Sequence, residues 1–477
     1  MLENLFAKLQ RALDKMVFES GKKEFQNKTI LISGEMENEI IKWSKIYNNK
    51  PEWLDKKNGV TTIGIGGDIA SEFARLTTIE MESHITGGAL ADTLEPTYQE
   101  LIDKMRIYTE YGCAKGGCVF KPYFNGENIS VECIQADAFF PTSFDGSGNI
   151  TGAIFSEQIK RGRRIYTRIE WHEIENGNVR IKNNAYSSAT ESDLGHEIPL
   201  TDVEEWASIE PDVTLPNVGI PLFGYFKVPI ANKIDNRSPL GVSVFANAVD
   251  NIKYADEQYS RLLREFQLTE PAIEINSAMC GRDANGNPIY PKGYERLYRT
   301  FQINTGISEQ AFYKEWMPQI RDQSLLNGLN SILQRIEFNC GLSYGTISDP
   351  NLVERTATEI IKSKQRMYST VSDIQKSLQK ALEDTVKAMA VYAGIYKLSP
   401  YSEYEISFNF DDSIIVDKTQ EQAIRLQEVN SGIISQVEYL KWRYGVTDEE
   451  AQAMMPQQQS SPSDFINQFL NENTNNA

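Results

Sequence analysis

Apolar residues recur at three- and four-residue steps through Met1–Phe18, Glu35–Ile46, Ile69–Ile79 and Tyr98–Tyr111, a period that predicts a helical platform at the start of the chain. From Cys118 to about Ile230 the period falls to two. Short runs at Val119–Phe124, Ile129–Ile134, Gly152–Lys160, Arg164–Ile174 and Val179–Asn184 are separated by Asn125-Gly126, Asp145-Gly-Ser-Gly, Arg161-Gly162 and Asn176-Gly177, which predicts one antiparallel meander. Helical spacing then returns over Val242–Phe266, with Val244, Ala248, Ile252, Ala255, Tyr259 and Leu263 on one side and Glu270-Pro271 as its stop. Ala272–Ile275 and Gln302–Asn304, around a turn-rich Cys280–Pro288, predict a small α/β insert. A second helix follows over Met317–Phe338.

The next stretch departs furthest from the ordinary. A Gly/Ser loop, Gly341-Leu-Ser-Tyr-Gly-Thr-Ile-Ser-Asp-Pro350, predicted to be flexible, opens into Val353–Ala393, which holds neither Gly nor Pro. As one helix it extends on the order of 60 Å at about 1.5 Å per residue, far beyond the usual length of about 11 to 12 residues. Ala357, Ile360, Met367, Val371, Ile374, Leu378, Ala381 and Met389 form its apolar stripe, interrupted by Lys364 and Thr385. Lys362, Gln365, Lys376, Lys380 and Glu383 are its wet face. Glu403–Phe410 alternates as a strand, short helices occupy Lys418–Met455, and the Gln/Ser/Asn-rich end is expected to be disordered in part.

Length and charge narrow the function. At 477 residues the chain accommodates several core-bearing modules. Its 48 Lys and Arg against 66 Asp and Glu, a net charge of −18, argue against a coat protein that neutralises phosphates. Five cysteines (113, 118, 133, 280 and 340) are too sparse for a disulfide scaffold and fit a reducing compartment. Neither a signal peptide nor an apolar run long enough to span a bilayer is read, so no membrane is expected.

Candidate chemistry is thin. Gly64-Ile-Gly66-Gly67 lacks the βαβ context and the third glycine of a dinucleotide loop, and no Walker A sequence occurs. Asp283-Ala-Asn285-Gly-Asn287 and Asp145-Gly-Ser147-Gly-Asn149 imitate calcium loops without the closing Glu, and read more simply as hairpin turns. His84, His172 and His196 are scattered and Cys113 and Cys118 match no redox spacing, so no metal site, cofactor or catalytic grouping is expected. The cluster Lys160-Arg161-Gly-Arg163-Arg164, with Arg168 beyond, could meet phosphate, yet a solvated hairpin turn is the simpler account. Lys292, Arg296 and Arg299, interleaved with Tyr294 and Tyr298, make a basic, aromatic surface suited to an acidic partner or DNA, or simply a solvated face.

The order of these parts resembles the portal protein family of tailed bacteriophages, in particular the type found in long-tailed phages of Gram-positive hosts. The stretches that carry the resemblance are Ser238-Pro-Leu-Gly-Val-Ser-Val-Phe-Ala-Asn-Ala-Val-Asp-Asn-Ile252, Gly341-Leu-Ser-Tyr-Gly-Thr-Ile-Ser, Thr356-Ala-Thr-Glu359, Ser435-Gln-Val-Glu-Tyr-Leu and Asp448-Glu-Glu-Ala-Gln-Ala-Met. The resemblance implies an α+β protomer in a ring, usually of about twelve copies, around a channel that replaces one vertex of the capsid. It divides the chain into a wing (1–235), stem helix 1 (236–268), clip (269–316), stem helix 2 (317–340), tunnel loop (341–352), long helix with a returning wing strand (353–410), crown (411–455) and tail (456–477). Ser343, Tyr344, Thr346, Ser348 and Asn351 would then line the channel, and Asp283, Asn285, Lys292, Arg296 and Arg299 would dock the motor or connector.

The implied partners are the terminase large subunit, a head-tail connector or adaptor protein, the major capsid and scaffolding proteins, and double-stranded DNA in transit. Location would be the virion, after assembly in the host cytoplasm. One physical point agrees independently: Ser343–Asn351 contains no Lys or Arg, as suits a lining that lets a polyanion slide. The rival readings are an enzyme of the packaging apparatus, a nuclease or NTPase, and a scaffold that forms no closed ring.

Overall fold

The computed structural model describes residues 30–55, 57, 59–190, 193–269, 272–276, 281–286, 288–289, 298–301, 313–316, 319–349, 357–410, 418–444 and 447–455. The predicted helix Met1–Phe18, the loop end with Asn351, Lys292, Arg296 and the tail lie outside the described residues. Two compact units emerge, up to Phe410 and from Asp411 onward.

The first unit opens with α1 (Gly34–Tyr47), capped by the Ser33 hydroxyl, which accepts from the Met36 N–H. Helix α2 (Ile65–Thr78) starts four residues before its predicted start, because Gly64 takes a left-handed conformation and the glycine run lies at the helix start. A Cβ on Gly66 would sit 2.5 Å from the Ile46 side chain, so the glycine allows α1 and α2 to touch rather than cradling a phosphate. Strand β1 (Met81–Gly87) precedes α3 (Ala89–Asp103) and α4 (Met105–Lys115). The single predicted helix Tyr98–Tyr111 is two helices meeting at Lys104, and the first runs through Pro96 because Leu90, Ala91 and Leu94 before it are buried.

The predicted single meander divides into two sheets. Strands β2 (Gly117–Phe124) and β3 (Ile129–Gln135) form a hairpin that joins a distant strand. Next come β4 (Phe139–Phe144), β5 (Ile150–Arg161), β6 (Arg164–Glu175), β7 (Asn178–Ser188), β8 (His196–Ile198) and β9 (Asp212–Leu215), one antiparallel sheet in the order β4-β5-β6-β7-β8 with β9 beside the other end of β7. Strand β10 (Gly224–Lys227) pairs with β2 to make the separate sheet β10-β2-β3. The turn readings of Asp145 and Asp283 hold. Asp145 accepts from the Ser147 and Asn149 N–H groups, and Asp283 from that of Asn285.

The first predicted stem helix begins later than its apolar spacing suggests. Residues 240–245 are buried non-helical chain, with Val244 N–H donating to Cys113 C=O at 2.9 Å, and α5 runs from Val249 to Leu268. Its buried side carries Ile252, Ala255, Asp256, Ser260, Leu262 and Glu265, whereas Leu263 from the predicted stripe is 38% exposed. The insert holds β11 (Ala272–Asn276), β12 (Gly281–Arg282), β13 (Pro288–Ile289), β14 (Tyr298–Phe301) and β15 (Tyr313–Trp316); β11 lies parallel to β14 and antiparallel to β15. Helix α6 (Asp322–Cys340) returns beside α5.

The long helix is present as α7 (Ala357–Ile395), 39 residues. Val371, Ile374, Leu378, Ala381 and Met389 are fully buried, and so is Thr385, whose hydroxyl donates to the Ala381 C=O at 2.7 Å instead of breaking the stripe. This face lies on β10 and β2, and Gly224 comes so near that an added Cβ would be 2.0 Å from the Ala381 oxygen. Strand β16 (Tyr404–Phe410) then pairs antiparallel with β1, across more than three hundred residues of sequence.

The second unit is helical: α8 (Lys418–Asn430), α9 (Gln436–Tyr444) and α10 (Asp448–Ala453). The Ser435 hydroxyl accepts from the Glu438 N–H at 3.1 Å to start α9, and the Arg425 guanidinium sits 4.5 Å from the centre of the Trp442 ring. No helix among the described residues is long and apolar enough to cross a membrane.

Gly224→Ala is expected to destabilise the chain by about 1–3 kcal/mol through overpacking. Gly146→Ala, at a turn where an added Cβ meets nothing within 4 Å, is the neutral control. Thermal unfolding of both variants checks this.

Candidate functional site

The Gly/Ser loop begins where α6 ends. Gly341 is left-handed (φ 82°), and the Leu342 N–H donates to the Glu337 C=O at 2.9 Å, the hydrogen bond of a Schellman cap. Leu342 is fully buried, and a Cβ on Gly341 would meet the Thr370 hydroxyl of α7 at 2.7 Å. The loop therefore leaves α6 directly against α7.

Its path is then set by side chains of both helices. Glu337, fully buried, accepts at Oε1 from the Ile347 N–H (2.8 Å) and the Ser348 N–H (2.9 Å), and at Oε2 from the Ser348 hydroxyl (2.8 Å). Two turns earlier on the same face, Asn330 accepts from the Asp349 N–H at 2.7 Å and donates to its C=O at 3.2 Å. From the α7 side, the buried Ser363 hydroxyl accepts from the Tyr344 N–H at 2.8 Å. Arg366 donates to the Leu342 C=O at 3.0 Å, with its guanidinium 4.5 Å from the Phe338 ring centre and 5.5 Å from that of Tyr344. Ser343 and Thr346 close the turn between, the Thr346 hydroxyl donating to the Ser343 C=O at 2.7 Å.

Of the candidate lining residues, Ser343, Tyr344 and Thr346 come together on the half-buried turn, while Ser348 is buried against Glu337. The loop that its Gly and Ser content predicts to be flexible is hydrogen-bonded from both sides over 342–349, because buried polar groups of α6 and α7 match its backbone. Among the insert candidates, Asp283 and Asn285 are exposed at the turn before β13, and Arg299 occupies β14 opposite Glu274. Sequence reading passed over Asn330, Glu337, Ser363 and Arg366. The available signal was spacing: Asn330 and Glu337 are seven apart on α6, and Ser363, Arg366 and Thr370 follow three- and four-residue steps on α7.

Two arginines of the basic stretch near residue 160 are held in ion pairs. Arg161 pairs with Glu205, and Arg168 with Glu157 (2.8 Å) and Glu170 (2.9 Å). Lys121, buried, reaches Glu170 at 2.7 Å and Glu132 at 3.0 Å, and His172 Nε2 lies 2.7 Å from the second Glu170 oxygen. Burial alone would raise the Glu170 pKa, but Lys121, His172 and Arg168 hold it well below the ordinary carboxylate range. Burial alone would lower that of Lys121, and the attraction of Glu170 and Glu132 more than offsets it. Lys121, Glu132, Arg168 and Glu170, with Glu157, Lys115 and Asp137, line a cavity of about 360 Å³ in which these charges are already paired with one another. No group of three or more His, Cys, Asp or Glu among the described residues is placed to hold a metal ion.

The family model "Phage portal protein, SPP1 Gp6-like" matches residues 97–462, and the chain belongs to that family. It is a portal protein, a ring-forming subunit of a connector channel and a component of the virion capsid. No curated protein matches the chain. Among solved structures, "Neck of native GTA particle computed with C12 symmetry" is similar at 11% identity and a TM-score of 0.41, covering 86% of this chain and 98% of that one.

The ion network around Glu170 sets a pH dependence. Because the folded pKa of Glu170 is lowered, its contribution is complete above the ordinary carboxylate value of 4.5 and lost as pH falls through the lower folded value. Lys121→Met leaves Glu170 short of its nearest cation and is expected to cost about 3–5 kcal/mol. Chemical denaturation between neutral and acid pH checks both, the variant showing the larger deficit at neutral pH.

Proposed function

We propose that about twelve copies of this chain close into a ring at one capsid vertex, through which DNA is packaged by the terminase motor and later ejected. The observation that carries this reading is the family match over residues 97–462. In the proposed division, residues 1–235 with β16 are the wing, α5 and α6 the stem, 269–316 the clip, 341–352 the tunnel loop, α7 the strut behind it and 411–455 the crown. The clip receives the terminase large subunit during packaging and the connector or adaptor protein afterwards. Scaffolding and major capsid proteins surround the wing, and assembly takes place in the host cytoplasm.

Electrostatics support the assignment of the loop. Residues 343–349 present hydroxyls, Tyr344 and Asp349, and the nearby Arg366 is held beneath them by two aromatic rings and a backbone carbonyl. Each fixed cation facing a duplex would add affinity and salt-dependent drag. A lining of hydroxyls and one carboxylate, with no Lys or Arg of its own, guides DNA and releases it.

Native mass measurement and negative-stain imaging of the purified chain are expected to show closed rings with a duplex-sized hole; a chain that stays monomeric at high concentration with scaffold present overturns the reading. Tyr344→Ala with Asn351→Ala is expected to leave rings intact and lower packaged or retained DNA about tenfold. DNA content of particles carrying the variants checks this. The rival, a nuclease or NTPase, predicts Mg²⁺-dependent hydrolysis of DNA or ATP that co-purifies with the ring.

A further inference from the structure

The loop and Glu337 complete each other. A carboxylate offers about four acceptor sites, and three donors from Ile347 and Ser348 fill most of those on Glu337. Two successive backbone N–H groups converge on one oxygen, an arrangement that neither helix nor strand provides for them. If the loop lifts away, Glu337 loses all three donors at once; if Glu337 is removed, two N–H groups of the half-buried loop lose their acceptor. Partial detachment is therefore disfavoured on both sides. The Asn330–Asp349 pair on the same face of α6 adds a second rung, and Ser363 and Arg366 hold the preceding turn from α7.

We infer that Glu337 is the positioning residue of the loop: its buried carboxylate locks Ile347 and Ser348 to α6, and so sets where the half-buried Ser343–Thr346 turn, with Tyr344, and the exposed Asp349 stand. The consequence for DNA passage rests on the proposal that this loop lines the channel; the latch itself does not. Ser348 is then part of the latch and not of the lining. Glutamine at 337 preserves the arrangement, since its oxygen accepts from both N–H groups and its amide donates to the Ser348 oxygen. Leucine matches the size and removes every acceptor.

Hydrogen–deuterium exchange on full-length wild-type, Glu337→Gln and Glu337→Leu protein, paired with DNA content of particles assembled with each, tests the inference. In Glu337→Leu the Ile347 and Ser348 amides are expected to exchange about 100-fold faster while the β5-β6-β7 sheet is unchanged, and packaged DNA is expected to fall about tenfold. Glu337→Gln stays within about threefold of wild type in both. Unchanged exchange at Ile347 and Ser348 in Glu337→Leu overturns the latch. Faster exchange with full DNA content upholds the latch and overturns the channel position of the loop. Should Glu337→Leu not fold, Ser348→Ala removes the hydroxyl that donates to Glu337 and accepts from the Gly345 N–H while leaving both backbone donors to Glu337 in place: about fivefold faster exchange at Ile347 supports the latch, and no change there overturns it.

Discussion

The first unit depends on the approach of α7 to the β10-β2-β3 sheet. Between Ala381 and Gly224 there is no room for even one extra carbon atom, and around this contact Val371, Ile374, Leu378, Leu382, Val386 and Met389 lose all solvent exposure. Full burial of each large apolar side chain contributes about 1.5–3 kcal/mol, so the helix is held along much of its length. Residues early in α7 are thereby fixed relative to residues late in α6. Ser363 and Arg366 stand where the loop needs them because Ala381 stands on Gly224.

Acidic side chains on the α5 and α6 pair recur as acceptors for neighbouring chain. Asp256 accepts from the Ile63 N–H and the Trp53 indole, both at 2.9 Å, tying the segment before α2 to α5. Glu265 accepts from the Arg321 guanidinium at 2.8 and 3.0 Å, joining the end of α5 to the start of α6. Glu337 does the same for the loop. Part of the chain's negative charge is thus turned inward as structural acceptors, while Lys121 and Arg168 are neutralised by Glu132, Glu157 and Glu170.

Several elements were legible from periodicity because local pattern and burial agree there. The long helix, the hairpin β2-β3, the strands β5 to β7 and the alternating β16 follow their spacing of apolar residues closely. The breaks fall where distant chain decides. Residues 240–245 carry helical spacing yet run non-helically, because Val244 hydrogen-bonds to the α4 residue Cys113. Strand β1 gave little signal of its own, since its partner β16 arrives more than three hundred residues later. Helix α3 runs on through Pro96, because the buried residues before it outweigh one missing hydrogen bond.

From the sequence alone came the class of the molecule: its elements, their order, the scarcity of catalytic groupings and the absence of cations in the loop, all properties of neighbouring residues or of composition. Tertiary structure decided the rest. It split one expected meander into two sheets, converted a loop expected to be flexible into one held from both sides, and turned Asn330, Glu337, Ser363 and Arg366 from unremarked helix residues into the frame of the site. The physical reason is that a buried polar side chain acquires its role from the group it faces. That group here belongs to another element, whose approach is set by packing around Gly224 and Ala381 and not by local spacing.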